Sequence, residues 1–240
     1  VWMFGFSRGA YTVRVLAAEG CEVLVPPGQG CCGALSLHAG RDEEARRMAR
    51  ALLARFEPLG LDAVVVNAAG CGSTLKEYGR LLAGDPAWAA RAAAFAARVR
   101  DVSELLAGLA PRAPRHPFPA RVAYHSSCHL GHAQRLQEPP RAILRAIPGL
   151  ELVEVPEPEQ CCGSAGVYNL LQPESADAIG ARKAANVRST GAALVASGNP
   201  GCTLHLQRLL RARGERLAAA HPVEILDWSI RGVAPTDLGC

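Results

Sequence analysis

Short apolar runs along the chain alternate with longer segments in which apolar residues recur at helical spacing. Residues 61–66 and 192–196 are continuous apolar runs bounded by turn residues, which is typical of strands covered on both faces. Residues 41–56 carry apolar residues three and four positions apart, with acidic residues at 42–44, where the helix dipole favours them. The alternation predicts an α/β fold with mainly parallel sheets.

The same pattern places the remaining elements. Further strands are predicted at 1–4, 21–25, 121–125 and 150–155. Helices are predicted at 10–19, 41–56, 86–99 and 102–109, from Cys71 through Tyr78, after Pro140, over the residues up to about 187, after Cys202, and over 221–230.

A cysteine pair followed by glycine occurs twice, at 31–33 and, 130 residues later, at 161–163. Each pair follows a strand-like run and a proline-containing turn, and another cysteine comes 39 residues after Cys32 and 40 residues after Cys162. Two unrelated segments would seldom agree so closely, so the spacing indicates an internal duplication. We predict two tandem, duplicated α/β domains with the cysteines at the carboxyl ends of strands: a first cysteine-rich domain over 1–110, degenerate in its cysteines, a proline-rich linker over 111–120, a second cysteine-rich domain over 121–233, and a tail over 234–240.

Charge and composition exclude several classes of protein. The 240-residue chain has a net charge of +4, and its basic residues are arginines interspersed with acidic residues rather than gathered into a polyanion-binding run. No apolar stretch has the roughly 18 to 20 residues needed to cross a bilayer, and no signal peptide opens the chain. We therefore predict a cytoplasmic protein that binds no nucleic acid and docks to a membrane only through partners. The chain begins at Val1 rather than Met, and we expect its N-terminus to be incomplete.

The nine cysteines are the candidate chemistry. In a reducing compartment they are better explained as metal ligands or catalytic thiols than as disulfides. Because carboxyl ends of parallel strands line one edge of a sheet, Cys128, the pair at 161–162 and Cys202 are expected to converge on one crevice, near helix N-termini that favour thiolates. Glycine beside each pair would let the backbone approach a bulky inorganic centre.

The surrounding phrases carry a resemblance to a known family. They are Pro-Pro-Gly-Gln-Gly-Cys-Cys-Gly-Ala-Leu at 26–35, Asn-Ala-Ala-Gly-Cys-Gly-Ser-Thr-Leu-Lys-Glu-Tyr at 67–78 and Tyr-His-Ser-Ser-Cys-His-Leu-Gly-His-Ala-Gln at 124–134. The tandem pattern resembles the cysteine-rich (CCG) domains of heterodisulfide reductase and its relatives, and the phrases are similar to the iron–sulfur subunit of glycolate oxidase. The likeness covers the chain from about Thr12 to Gly232.

This resemblance implies an electron-transfer component of an oxidoreductase complex rather than a self-sufficient enzyme. A separate flavin-containing subunit would oxidise glycolate, and iron–sulfur clusters of the [4Fe–4S] or a related type would carry electrons towards a membrane or quinone-linked acceptor. The expected cluster ligands are Cys128, Cys161, Cys162 and Cys202, with Cys31, Cys32 and Cys71 as a smaller, degenerate set that His38 or a solvent ligand would complete.

Three departures from the family pattern change the expectation. No ferredoxin-like run of closely spaced cysteines is present, and Ser7 stands where the first half should carry its counterpart of Cys128. Where heterodisulfide reductase has Cys-x-x-Cys, this chain has Ala68 and Asn199 at the first position. Neither half can therefore supply the five cysteines of a noncubane cluster.

Two other readings of the same residues stay open. Four cysteine thiolates also form a usual structural zinc site, which would make the chain a zinc-stabilised or metal-free scaffold for partner subunits. The third alternative is thiol and disulfide catalysis of the heterodisulfide reductase kind. Around Cys128, three histidines could hydrogen-bond to sulfur or relay protons, His129 foremost and then His125 and His132. Cys21 is expected to be a small core residue, and Cys240 to have no role.

Overall fold

Two small parallel sheets, one from each half of the chain, form the framework. The computed structural model describes residues 2–4, 9–215 and 217–238, with the backbone alone at 2–4 and 237–238. The first sheet has the order β1-β2-β3 and the second the order β5-β4-β6-β7, and every pair in both sheets is parallel. The strands are β1 Trp2–Phe4, β2 Val64–Val66, β3 Val99–Asp101, β4 Arg121–His125, β5 Glu151–Glu154, β6 Leu194–Ser197 and β7 Ala218–Ala220. The predicted α/β class with parallel sheets is confirmed.

Helices follow most strands. They are α1 Gly9–Ala18, α2 Ala34–His38, α3 Asp42–Phe56, α4 Ala69–Lys76, α5 Tyr78–Leu81, α6 Ala89–Ala96, α7 Val102–Ala107, α8 Glu138–Arg145, α9 Tyr168–Leu171, α10 Pro173–Ser189, α11 Pro200–Arg211 and α12 Pro222–Arg231. Short 3₁₀ turns lie at Glu57–Leu59 and Pro235–Leu238, and a π-helical turn lies at His129–Ala133.

Two predicted elements differ from the structure. The strand predicted at 21–25 is wrong, because only Leu24 makes a single bridge there and Pro26 and Pro27, which lack backbone N–H groups, follow at once. The helix predicted over 86–99 stops at Ala96 because Val99 enters β3 beside β2. The predicted position of Ser7 and the tail residue Cys240 lie outside the described residues.

One hydrophobic core contains residues of both halves. Val15, Val65 and Leu106 of the first half lie in the same cluster as Val122 and Ile225 of the second. Phe118, in the proline-rich segment, is fully buried in this cluster and stacks on Trp228 at 6.0 Å between ring centroids. Smaller clusters lie between the sheet and the outer helices of each half. The two sheets are therefore held against each other by apolar burial, the dominant favourable term in folding.

A buried carboxylate reinforces the contact between the halves. The side chain of Asp227 on α12 is 2% exposed and accepts hydrogen bonds from Arg14 Nε at 2.9 Å and Nη2 at 2.8 Å. Arg231 Nε also donates to it at 2.8 Å. The two-pronged guanidinium contact fixes the angle between α1 and α12, since a planar fork matches a carboxylate in one orientation. Within the described part of the chain, no helix has the length and apolar character needed to cross a membrane.

Capping boxes begin the last helix of each half, α7 and α12. Asp101 accepts from the backbone N–H of Ser103 at 2.9 Å, and Glu104 accepts from the N–H of Asp101. His221 and Glu224 form the same arrangement at the start of α12. The matching caps extend the duplication beyond the cysteines, because both satisfy orphan N–H groups of the first turn in the same way.

The first cap leads to a pH-dependent prediction. Burial raises the pKa of Asp101 to about 6, against the opposing hydrogen bonds from Ser103. The folded state therefore binds this proton more tightly than the unfolded chain, so the stability contributed by Asp101 falls as pH rises from about 4 to about 6. Asp101→Asn keeps a capping oxygen and is expected to raise the free energy of unfolding by about 2 kcal/mol at pH 7.5. Urea unfolding at pH 7.5 and pH 4.5 measures it, and an equal gain at both values would contradict the prediction.

Candidate metal centre

Two buried cysteines and one buried histidine of the second half meet between β4 and α11. Cys162 and Cys202 are each 2% exposed, and their Sγ atoms and a ring nitrogen of His125 all lie within 4.8 Å of one another. His125 is the last residue of β4, and Cys202 lies in the first turn of α11, which follows β6. Because β4 and β6 are neighbours in a parallel sheet, their carboxyl ends deliver these side chains to one place, as the sequence predicts.

Cys128 and Cys161 extend this group towards the surface. The thiols form a chain of hydrogen-bonding contacts in which Cys128 meets Cys161, Cys161 meets Cys162, and Cys162 meets Cys202. The backbone N–H of Gly163 donates to Cys161 Sγ at 3.3 Å. All four cysteines predicted for the second half therefore lie together.

The thiols perturb one another's pKa. Contact with Cys128 and Cys162 lowers the pKa of Cys161, and contact with Cys162 lowers that of Cys202. Contact with Cys161 and Cys202, together with burial, raises the pKa of Cys162. Neighbouring thiols share protons in this way because several thiolates in one buried site repel each other. A bound cation would remove that repulsion, so this donor set fits a metal ion or an iron–sulfur cluster.

The glycine after each cysteine pair serves helix packing. The sequence predicts that it admits an inorganic centre, but Gly163 has φ +91°, and a Cβ there would lie 2.3 Å from the carbonyl oxygen of Ala176 on α10. In the first half, a Cβ on Gly33, at φ +77°, would lie 3.2 Å from Cα of Ala45 on α3. Both glycines therefore let the cysteine loop pack directly against the backbone of a long helix.

The three histidines around Cys128 have different positions. His125 is buried, and neither of its ring nitrogens has a hydrogen-bond partner apart from the neighbouring thiols. His129 Nδ1 lies 3.6 Å from Cys128 Sγ, in the π-helical turn, whereas His132 Nε2 faces Glu159 at 3.5 Å. The sequence favours His129, but His125 is the histidine among the buried thiols. Its position at the end of a strand was the available signal.

Asn199 connects the two halves at this site. Its Nδ2 donates to Cys202 Sγ at 3.3 Å, and its Oδ1 accepts from the backbone N–H of Gly70 at 3.4 Å. Gly70 precedes Cys71 of the first half. The sequence showed Asn199 only as an absent cysteine ligand. The structure shows instead a hydrogen-bond donor to sulfur that also contacts the other half.

The first half brings its three thiols together as well. Cys32 contacts both Cys71 and Cys31, and contact with Cys71 raises the pKa of Cys32. The hydroxyl of buried Tyr78 donates to the carbonyl of Cys32 at 2.7 Å, which fixes the loop. Cys31 is exposed. His38 lies 5.2 Å from His129 between ring centroids, so it contacts the second half.

Both halves match one family model, described as a cysteine-rich domain and called CCG, over residues 7–76 and 122–207. These segments contain all seven cysteines of the two predicted sets. The chain belongs to the CCG cysteine-rich domain family. The resemblance inferred from the sequence phrases is thereby confirmed, and the duplication corresponds to two CCG segments.

Curated CCG proteins include relatives that match most of the chain. The probable glycolate oxidase iron-sulfur subunit of Bacillus subtilis is 38% identical over 90% of this chain and 49% of its own length, so the chain spans about half of that relative. Lactate utilization protein A of Oceanobacillus iheyensis is 30% identical over 93% of this chain and 91% of its own length. A fumarate reductase (CoM/CoB) subunit of Methanothermobacter marburgensis is 36% identical over 86% of this chain and 40% of its own length.

A solved structure shares the CCG fold seen here. The crystal structure of a hypothetical protein from Helicobacter pylori superposes with a TM-score of 0.65 and 12% sequence identity, over 99% of this chain and 50% of that one. At this identity the likeness supports the fold alone.

Proposed function

We propose that this chain is an iron–sulfur subunit of an oxidoreductase complex that oxidises a 2-hydroxy acid such as glycolate or lactate. The observation that carries the proposal is the chain of four contacting thiols, Cys128, Cys161, Cys162 and Cys202, beside buried His125. Relatives named as a glycolate oxidase iron-sulfur subunit and as lactate utilization protein A support the substrate class.

Such a complex divides the chemistry between its subunits. Oxidation of a 2-hydroxy acid to the 2-oxo acid releases two electrons and two protons, which a flavin on a partner subunit accepts. An iron–sulfur cluster of the [4Fe–4S] or a related type supplies one-electron transfer at the thiols of this chain. Electrons then pass to a membrane or quinone-linked acceptor, with this chain at the cytoplasmic face of the membrane.

The chain's own residues hold and tune that centre. Gly163 N–H donates to Cys161 Sγ, and Asn199 Nδ2 donates to Cys202 Sγ, so two of the four sulfurs accept hydrogen bonds. Hydrogen bonds to ligand sulfur disperse negative charge and raise a cluster's reduction potential. Burial of Cys162 and Cys202 keeps water from the inner ligands.

Metal analysis of the wild-type chain tests the proposal. After anaerobic purification and cluster reconstitution we expect iron and acid-labile sulfide bound to the chain, and an electron paramagnetic resonance signal that changes on reduction. A colourless, iron-free chain after reconstitution would overturn the proposal.

A zinc-stabilised scaffold is the second candidate. The buried trio of Cys162, Cys202 and His125 matches the donor types and close spacing of structural zinc sites. This function requires stoichiometric zinc and no reducible centre. The same metal analysis therefore separates the two candidates.

A further inference from the structure

A buried lysine lies behind the second-half thiols. Lys76 and Lys183 are the two lysines of the chain, whose other basic residues are arginines. Lys183, on α10, is 0% exposed, whereas the side chain of Lys76 retains 23% exposure and pairs with Glu104. A lysine without exposed surface needs a compensating partner, because transferring an unpaired ammonium out of water is costly.

The helix that carries Lys183 packs directly on the cysteine loop. A Cβ on Gly180 would lie 2.8 Å from the carbonyl oxygen of Cys162, and Lys183 follows one turn later on the same face of α10. Its Nζ donates to the carbonyl oxygen of Glu157 at 2.5 Å. Glu157 lies in the turn that leads from β5 to Cys161, so the ammonium is enclosed by the loop that positions the thiols.

This single carbonyl does not balance the charge. An ammonium has three donors and a full positive charge, while a carbonyl supplies only a dipole. The carboxylate of Glu157 is engaged by Arg182 and by Asn186 Nδ2 at the exposed surface. Burial lowers the pKa of Lys183, while Glu157 and then Cys162, Cys161 and Cys202 favour its charged form. The buried anionic groups that act on it are the candidate ligands.

The duplication provides an internal comparison. The 130-residue offset of the cysteine pairs matches Lys183 with Leu53, and the helix contacts of Gly33 and Gly163, with Ala45 and Ala176, match it with Leu52. Both leucines are buried in the first-half core. The half with three thiols therefore has an apolar residue in either register, and the half with four thiols has a cation.

We propose that Lys183 is a positioning residue whose buried ammonium acts as the counter-cation of an anionic metal–thiolate centre formed by Cys128, Cys161, Cys162 and Cys202. The proposal rests on the proposed function only in requiring that the second half hold a metal. Four thiolates leave such a centre net negative, and a nearby positive charge in a water-excluded site favours the form with the greater negative charge. Lys183 therefore raises the reduction potential of a cluster and strengthens thiolate binding of a divalent metal.

Redox titration of the reconstituted chain is the first test. Lys183→Met keeps the length of the side chain and removes the charge. At equal iron loading it is expected to lower the equilibrium constant for one-electron reduction by about tenfold, a shift of about 59 mV. Lys183→Arg should restore most of the potential. Asn186→Ala loosens the same turn without removing the buried charge, and it should leave the potential unchanged. An unchanged potential in Lys183→Met, or an equal shift in Asn186→Ala, would overturn the proposal.

Cadmium binding to the metal-free chain is the second test, and it does not depend on iron–sulfur chemistry. Lys183→Met is expected to weaken Cd²⁺ binding about tenfold, followed by sulfur-to-cadmium absorption, with Lys183→Arg close to wild type. Lys183→Gln replaces Lys183→Met if circular dichroism shows that the methionine variant does not fold. A wild-type chain that binds Cd²⁺ but no iron would overturn the proposed function while leaving Lys183 testable. Unchanged affinity in the neutral variants, or a wild-type chain that binds neither, would overturn the role of Lys183.

Discussion

Replacing Cys162 with serine is expected to remove most of the bound metal while leaving the chain folded. Cys162 is buried and contacts both Cys161 and Cys202, so its sulfur stands in the middle of the chain of thiols. Serine has nearly the same shape, but its hydroxyl does not ionise near neutral pH as a thiolate ligand must. Metal content per chain and visible absorbance after reconstitution measure the loss, and circular dichroism measures the fold.

Two variants serve as controls for this loss. Cys21→Ser changes a half-buried cysteine that packs against the shared core, and it should retain the metal. Cys32→Ser, at the equivalent position of the first half, should leave the second-half centre occupied. Wild-type metal content in Cys162→Ser, or equal loss in Cys21→Ser, would show that the second-half thiols are not the ligands.

Gly163→Ala is expected to lower the free energy of unfolding by about 3 kcal/mol or more. A Cβ at this position would lie 2.3 Å from Ala176 O, 3.0 Å from His205 Nε2 and 3.1 Å from Gly180 N, and no adjustment of a flexible side chain relieves a clash with the backbone of α10. The positive φ adds about 1 to 2 kcal/mol for any residue with a Cβ. Because Gly163 follows the cysteine pair, metal binding should fall as well.

Gly191→Ala is the matched control. Gly191 also has a positive φ, +64°, but a Cβ there would meet no atom within 4 Å. Only the conformational cost of about 1 kcal/mol is expected, with metal content unchanged. Urea unfolding of both variants separates the clash from the backbone effect. Equal losses of stability would show that close packing on α10 contributes nothing.

Long elements with a clear period could be predicted from the sequence. The strand at 121–125 and the helix from 41 or 42 to Phe56 agree with the structure within a residue. The three-residue strands β3 and β7 were missed, since β7 consists of alanines, which have no strand preference, and each strand exists through pairing with β2 or β6. Pairing with a distant segment leaves no local periodicity to detect.

The candidate site shows the same division. Strand ends in a parallel sheet predicted that Cys128, Cys162 and Cys202 converge, and the structure places them together. The contact of Asn199 with Gly70 and the burial of Lys183 depend on how helices of both halves pack. On α10, alanines and glycine surround Lys183, so no contrast between apolar and polar faces marked it as buried.

The shared core also bears on how such a duplicated chain evolves. Val15, Leu16 and Val65 of the first half pack in one cluster with Tyr124 and Leu194 of the second. A gene cut at the linker would yield two products that each expose a broad apolar face, which favours aggregation. Selection can therefore relax on the ligands of one half without allowing that half to be lost. A half with only three thiols in its site persists because its neighbour cannot remain soluble without it.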